Sequence, residues 1–362
     1  MTLAWVRRQL DAGERIVRSD ALHGGITSEM RRLTIRTPDG GTRRLVLRSF
    51  VDPFCLRYAE DSLNREADAL TQLAGTGVTA PGLIAADPTA AQCEYPSLLM
   101  THLPGRTVLA DAGLEDRVPQ LARQLVAVHA LRPAVRPPEY TALTTADTVV
   151  PPQCADAAVW SAAIDVIRKP RPAYEGRFLH RDFQPGNVLF DVASAGTTGS
   201  RITGVVDWAS VSWGPVDLDV AHCSAILAVL HGPTWGLRFS GAYEEAGGVL
   251  AAAGSERLYW QVRDALACSE EVRQVARPWR EAGRTGLTTR VVEERLDAYV
   301  RLLWTRRSEH RGVSRSASRA FGGDLSGPRG RHGGRVRVGR AGRRGGYRAP
   351  RGFGGAVSGR WT

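Results

Sequence analysis

The chain is almost without lysine. Lys169 is the only one in 362 residues, so its positive charge is carried by arginine. Cysteine is sparse: Cys55, Cys93, Cys154, Cys223 and Cys268 are scattered, odd in number and never arranged as C-x-x-C. That pattern argues against a disulfide framework and predicts reduced thiols in a cytoplasmic protein. The start, Met1-Thr2-Leu3-Ala4-Trp5-Val6-Arg7-Arg8, lacks an apolar h-region, so no signal peptide is expected. No apolar run approaches bilayer length, so no membrane partner is expected.

The net charge of +11 invites a nucleic-acid reading, but its position argues otherwise. Residues 311–362 hold 13 arginines and one aspartate, which accounts for +12 and leaves −1 for residues 1–310. Nucleic acid is therefore not an expected partner of the body. The Arg/Gly-rich tail has no apolar periodicity and cannot bury enough surface to offset its ordering entropy, so 311–362 is expected to be disordered. It could bind RNA or another polyanion, be an inert extension, or be an out-of-frame gene end.

With 43% hydrophobic residues, the body has material for one or two cores. Residues 34–37 and 45–47 read as strands around the turn Pro38-Asp39-Gly40-Gly41. Leu63, Ala67, Leu70 and Ala74 recur at helical spacing, and Gly75, Gly77 and Pro81 end that helix. Leu98-Leu99-Met100 is a short buried strand, ended by Pro104-Gly105. A helix follows with Val118, Leu121, Ala122, Leu125, Val126 and His129 on one face. Residues 133–153 are rich in proline and threonine and read as a loop. Short strands at 177–179, 188–190 and 202–206 come next. From Asp217 onward the pattern is helical, with 220–230 apolar nearly all round and amphipathic helices over 258–268 and 292–304. Strands first and helices afterwards predict an α+β chain in two lobes of unequal character.

The chemistry concentrates in His180-Arg181-Asp182-Phe183-Gln184-Pro185-Gly186-Asn187. Asp182 and Asn187 stand five residues apart on a loop between strands, bent by Pro185-Gly186, and can turn toward one spot. The protein-kinase catalytic loop uses the same offset, with Asp as base and Asn on a metal. Asp207 follows the β-branched pair Val205-Val206 at a strand end, where a kinase holds its metal aspartate. Each residue has a plainer reading: Asp182 and Asn187 are good turn formers, and Asp207 could be a strand-end cap.

The stretch 180–189 resembles the catalytic loop of the aminoglycoside phosphotransferase and choline kinase-like family. Val205-Val206-Asp207-Trp208 with Gly214-Pro215 and Asp219-Val220-Ala221 resembles its metal loop. Leu98-Leu99-Met100-Thr101 with Leu103-Pro104-Gly105 resembles its hinge. The resemblance spans roughly residues 15–306. It implies a bilobal protein-kinase-like fold: a small antiparallel-sheet N-lobe with the hinge (1–103), a larger mainly helical C-lobe (104–310), and the disordered tail (311–362). It implies ATP, with GTP an alternative, and Mg²⁺ as cofactors, and a hydroxylated small molecule as acceptor.

The resemblance also implies site roles. Asp182 would be the base, Asn187 and Asp207 the Mg²⁺ ligands, and His180 and Asp219 the supports beneath the loop. Gly24 and Gly25 would cover the phosphates, and main chain from Met100 to Leu103 would take the adenine edge. The family's third-strand lysine is absent, and Arg48 stands in its place. Alternation puts Val46 and Arg48 on one strand face, so Val46 could line the adenine while Arg48 meets phosphate, with Glu66 as its partner. That substitution leaves open a non-catalytic nucleotide-binding protein of the same fold.

Overall fold

Glycine sets the hairpin at residues 37–41. The Thr37 N–H donates to the Gly41 carbonyl and the Gly40 N–H to that of Thr37, both at 3.0 Å, with Gly40 at φ +83°. That conformation costs glycine no Cβ clash. In the computed structural model, which describes residues 1–22, 27–191 and 200–320, this hairpin belongs to a five-stranded antiparallel sheet. The strands are β1 (Arg15–Leu22), β2 (Glu29–Arg36), β3 (Thr42–Ser49), β4 (Leu83–Asp87) and β5 (Ser97–Thr101), in the order β1-β2-β3-β5-β4. β2 and β3 run longer than their apolar cores, because pairing continues through arginines such as Arg31, Arg32, Arg43 and Arg44.

β3 is covered on both faces. Leu45 and Leu47 pack with Trp5 and Val6 of α1 (Thr2–Arg8), while Val46 joins Met100 in a second cluster on the other face. Burying Trp5 and Val6 contributes on the order of 2 kcal/mol each. The next helix, α2 (Pro53–Leu73), starts on Asp52, whose carboxylate accepts from the Phe54 N–H at 2.7 Å. Pro53 at the first helical position costs nothing, since its missing N–H would have no intrahelical partner. One face of α2 buries Leu63, Glu66, Leu70 and Leu73.

The second half is mainly helical: α3 (Leu114–His129), α4 (Ala157–Ile167), α5 (Val216–His231), α6 (Pro233–Glu245), α7 (Gly254–Glu281) and α8 (Thr289–Ala320). Two short antiparallel pairs interrupt it. β6 (Arg177–Leu179) pairs with β9 (Ser212–Gly214), and β7 (Val188–Asp191) with β8 (Arg201–Val205). Residues 180–187 are the link between β6 and β7. Helix α5 is buried nearly all round and packs against α6, α7 and α8. Past Gly105, the Arg106 and Phe190 backbones exchange hydrogen bonds at 3.0 and 2.9 Å, which fastens the segment after β5 to β7. At Gly105 (φ +101°) a Cβ would lie 2.8 Å from the Phe190 carbonyl, so this close approach requires glycine.

Three features depart from the sequence reading. Helix α1 has no periodic signal, being seven residues with two buried anchors. Helix α7 continues well past 268 to Glu281. Helix α8 runs to Ala320, past Gly312, where the composition changes. Arginine and alanine are good helix formers, and a single glycine costs only about 1 kcal/mol, so the change in composition does not itself end the helix. The phosphate-covering role expected of Gly24 and Gly25, and the tail from 321 to 362, lie outside the described residues. Among the described residues, no helix is long and apolar enough to cross a membrane.

Candidate active site

The loop from His180 to Asn187 is held from beneath by Asp219, in the first turn of α5. The backbone N–H groups of His180 and Arg181 donate to the two oxygens of this carboxylate at 2.7 and 2.8 Å. These bonds hold Arg181 at φ +67°, a conformation that is uncommon for a residue with a side chain. His129 Nε2 lies 3.2 Å from Asp219 Oδ2, and His129 Nδ1 lies 2.7 Å from the Tyr243 hydroxyl. Burial pushes the Asp219 carboxyl up, but the His129 contact and the charge of Arg181 outweigh it and hold Asp219 at about 2. His180 is buried and neutral, because burial disfavours its charge. Its Nδ1 accepts from the Asp182 N–H at 3.2 Å, so the proton sits on Nε2, which donates to the Val206 carbonyl at 3.2 Å. The ring lies 4.4 Å from that of Trp208. His180 and Asp219 are thus both placed under the loop, where the sequence reading puts them.

Asp182 points out of the loop with its side chain one-third exposed. Its Oδ1 accepts from Gln184 Nε2 at 2.8 Å, and its Oδ2 from Asn187 Nδ2 at 2.8 Å. The Asn187 amide nitrogen also reaches the Asp182 carbonyl at 2.9 Å, which leaves the amide oxygen available to a cation. The Val206 N–H donates to the Asn187 carbonyl at 2.9 Å, and this backbone bond brings Asp207 beside Asn187. The pair supplies hard oxygen donors of the kind Mg²⁺ takes. Burial pushes the Asp182 carboxyl up, but His222 and Gln184 more than reverse this and leave it below the usual carboxylate range.

Arg48 sits opposite, almost fully buried on β3. Its NH1 donates to Glu66 Oε2 at 2.8 Å and to Asp207 Oδ1 at 2.9 Å, and its Nε to Ser28 Oγ at 3.0 Å. Glu66 also accepts from the Trp208 N–H at 3.3 Å. The expected Arg48–Glu66 pair is therefore present, and Asp207 joins it. Val46 and Met100 are direct neighbours in the sheet and share one cluster. The N–H groups of Thr101 and His102 are engaged by the carbonyls of Gly82 and Arg44. Leu103 packs against Gly204 of β8, where a Cβ would collide with it.

Two residues escape the sequence reading. His222, on α5, places Nε2 3.1 Å from Asp182 Oδ1 and Nδ1 3.2 Å from Asp264 Oδ2, on α7. His222 lies inside the apolar run 220–230, one turn past Asp219; that turn is the only local signal. Nothing along the chain joins it to Asp264.

A twisted antiparallel sheet with one long helix, joined to a helical half that carries H-R-D-x-x-x-x-N between short strand pairs, defines a protein-kinase-like phosphotransferase fold. The chain belongs to the phosphotransferase enzyme family, whose model (APH) matches residues 24–259. Among solved structures it is similar to a candidate aminoglycoside phosphotransferase of Ralstonia eutropha JMP134, at 14% identity and TM-score 0.57, covering 84% of this chain and 97% of that one. It is similar to aminoglycoside phosphotransferase APH(4)-Ia at 17% identity and TM-score 0.52, covering 83% and 97%. Macrolide 2'-phosphotransferase type I matches at 17% identity and TM-score 0.51, covering 80% and 94%. A thermostable mutant of APH(4)-Ia forms a ternary complex with ADP and hygromycin B. No curated protein sequence matches the chain significantly.

Proposed function

We propose that the protein transfers the γ-phosphoryl group of ATP to a hydroxyl of a small molecule, with residues 1–103 holding the nucleotide and 104–310 the acceptor. The observation that supports this reading is Asn187, whose side-chain amide bonds Asp182 and whose carbonyl accepts from Val206, next to Asp207. That an APH(4)-Ia mutant forms a ternary complex with ADP and hygromycin B supports a nucleotide and a small-molecule partner for this chain. Asn187 and Asp207 would hold Mg²⁺, which supplies charge neutralisation on the phosphates when bound. Asp182 orients the acceptor hydroxyl and takes its proton. Arg48 brings a permanent positive charge to the phosphate side, and Glu66 fixes its direction. Val46, Met100 and Leu103 form the apolar wall and hinge for the base.

Asp182→Ala should abolish phosphoryl transfer while nucleotide binding, followed by calorimetry, persists. Undiminished turnover in this variant would refute the assignment.

A further inference from the structure

His222 lies between two carboxylates. It is 4% exposed, and each ring nitrogen faces a carboxylate oxygen: Asp182 Oδ1 at 3.1 Å and Asp264 Oδ2 at 3.2 Å. A neutral imidazole has one N–H and one lone pair, so one of the two contacts would set lone pair against lone pair. The imidazolium satisfies both. Burial favours the neutral ring, but Asp264 and Asp182 together keep it charged well above the ordinary histidine range. The groups around the ring fit that state. Asp182 and Arg181 face it from the loop, with Arg181 NH1 3.6 Å from Asp264 Oδ1. From α7 come Asp264 and Cys268, whose Sγ lies 3.9 Å from Asp264 Oδ2. Tyr299 of α8 stands close enough to feel Asp264. Asp182, Asp264, His222 and Arg181 make two negative and two positive charges, so the cluster is neutral as a whole.

His222, Asp264 and Cys268 also bring one donor atom each within 4.8 Å of one another, a spacing a metal could use. Arg181 already sets a cation beside Asp264, and His222 Nδ1 already engages it through hydrogen, so the arrangement is complete as an ion-pair network.

We propose that His222, gripped by Asp264, is a positioning residue for Asp182 that selects Oδ2 as the oxygen that meets the acceptor. This rests on Asp182 being the base. Oδ1 accepts from both Gln184 and His222, which uses both its lone pairs, whereas Oδ2 accepts from Asn187 and keeps one. The acceptor hydroxyl donates to Oδ2. As its oxygen bonds to the γ-phosphorus and the bridging β,γ P–O bond breaks, its proton passes to Oδ2. His222 already carries both its protons, so it holds the carboxylate in place and takes no proton from it. Asp264 supplies the second anchor that stops the ring from turning.

The test uses the full chain and four variants: Asp182→Ala, His222→Ala, His222→Gln and Asp264→Asn. His222→Ala should lower kcat about 100-fold, the effect of misplacing a reacting group by about 1 Å, with the KM for ATP within about twofold. His222→Gln returns an N–H toward Asp182 and should recover part of that loss. Asp264→Asn removes one of the two charges that raise the His222 pKa, so kcat should fall off at a lower pH than in the parent. A second readout needs no turnover. In ¹⁵N spectra of the parent chain, both His222 ring nitrogens should be protonated at pH 7.5, and the resonances should move in Asp182→Ala. Singly protonated nitrogens at that pH, or a folded His222→Ala with parental kcat while Asp182→Ala is inactive, would overturn the proposal and leave the kinase reading intact. An active Asp182→Ala would remove both.

Discussion

One nitrogen of Arg48 serves two carboxylates. Its NH1 contacts Glu66 and Asp207 at 2.8 and 2.9 Å, and only Asp207 has an appreciably exposed side chain. Burial and the neighbouring Asp207 push the Glu66 carboxyl up against the pull of Arg48. Arginine suits this place because its fork reaches Ser28, Glu66 and Asp207 at once, which a lysine ammonium on a flexible stem would do less firmly. Removing the cation would leave a buried carboxylate unpaired, which costs about 3–5 kcal/mol. Arg48→Ala should therefore lower the unfolding free energy by about that amount in urea titrations. A change below about 1 kcal/mol would show that the pair is not buried as described. The family resemblance made Arg48 and Glu66 legible as partners. The sequence could not show that Asp207 is the third member, because that contact spans 159 residues.

At the scale of elements, α5 organises the loop. Its first two turns present Asp219 and His222 to the loop, while its remaining faces are buried under α6, α7 and α8. The apolar run 220–230 marked it as a core helix, so its burial was legible; the tasks of its two polar residues needed the loop in place. Asp219 also sets an acid limit on stability. Its folded value of about 2 lies below the ordinary aspartate value, so its ionised form stabilises the fold above about pH 4, and that contribution is lost as pH falls toward 2. Asp219→Asn should be less stable by about 2–3 kcal/mol at pH 7, and the gap to the parent should narrow as pH is lowered below 4. Equilibrium unfolding across that range checks it, and a gap independent of pH would contradict it. The hairpin at Pro38–Gly41 was legible for the opposite reason: its signal is four consecutive residues. Helix α1 was not, because two anchors, Trp5 and Val6, define it only once the sheet supplies Leu33 and Leu47.

At the scale of the molecule, the sequence order of strands, one helix, a hinge and then helices translated into the architecture after α1, because most of those elements carry their own period. The site was legible where its members share a loop or a strand end, as Asp182, Asn187 and Asp207 do. It was hidden where α7 folds back onto α5 to bring Asp264 to His222. Charge also reads differently at this scale: residues 1–310 carry about −1, so the basic pI of 10.1 describes the C-terminal segment rather than the catalytic body. On the proposed reading, Asp182 directs a phosphoryl group onto a small-molecule hydroxyl. The most direct measurement is the purified chain with ATP, Mg²⁺ and a panel of hydroxylated metabolites and antibiotics, following ADP release and the phosphate ester formed. The expected result is acceptor-dependent ADP release with one phosphate monoester per ADP, lost in Asp182→Ala. Nucleotide binding without ester formation on any acceptor, or ester formation that survives Asp182→Ala, would contradict it.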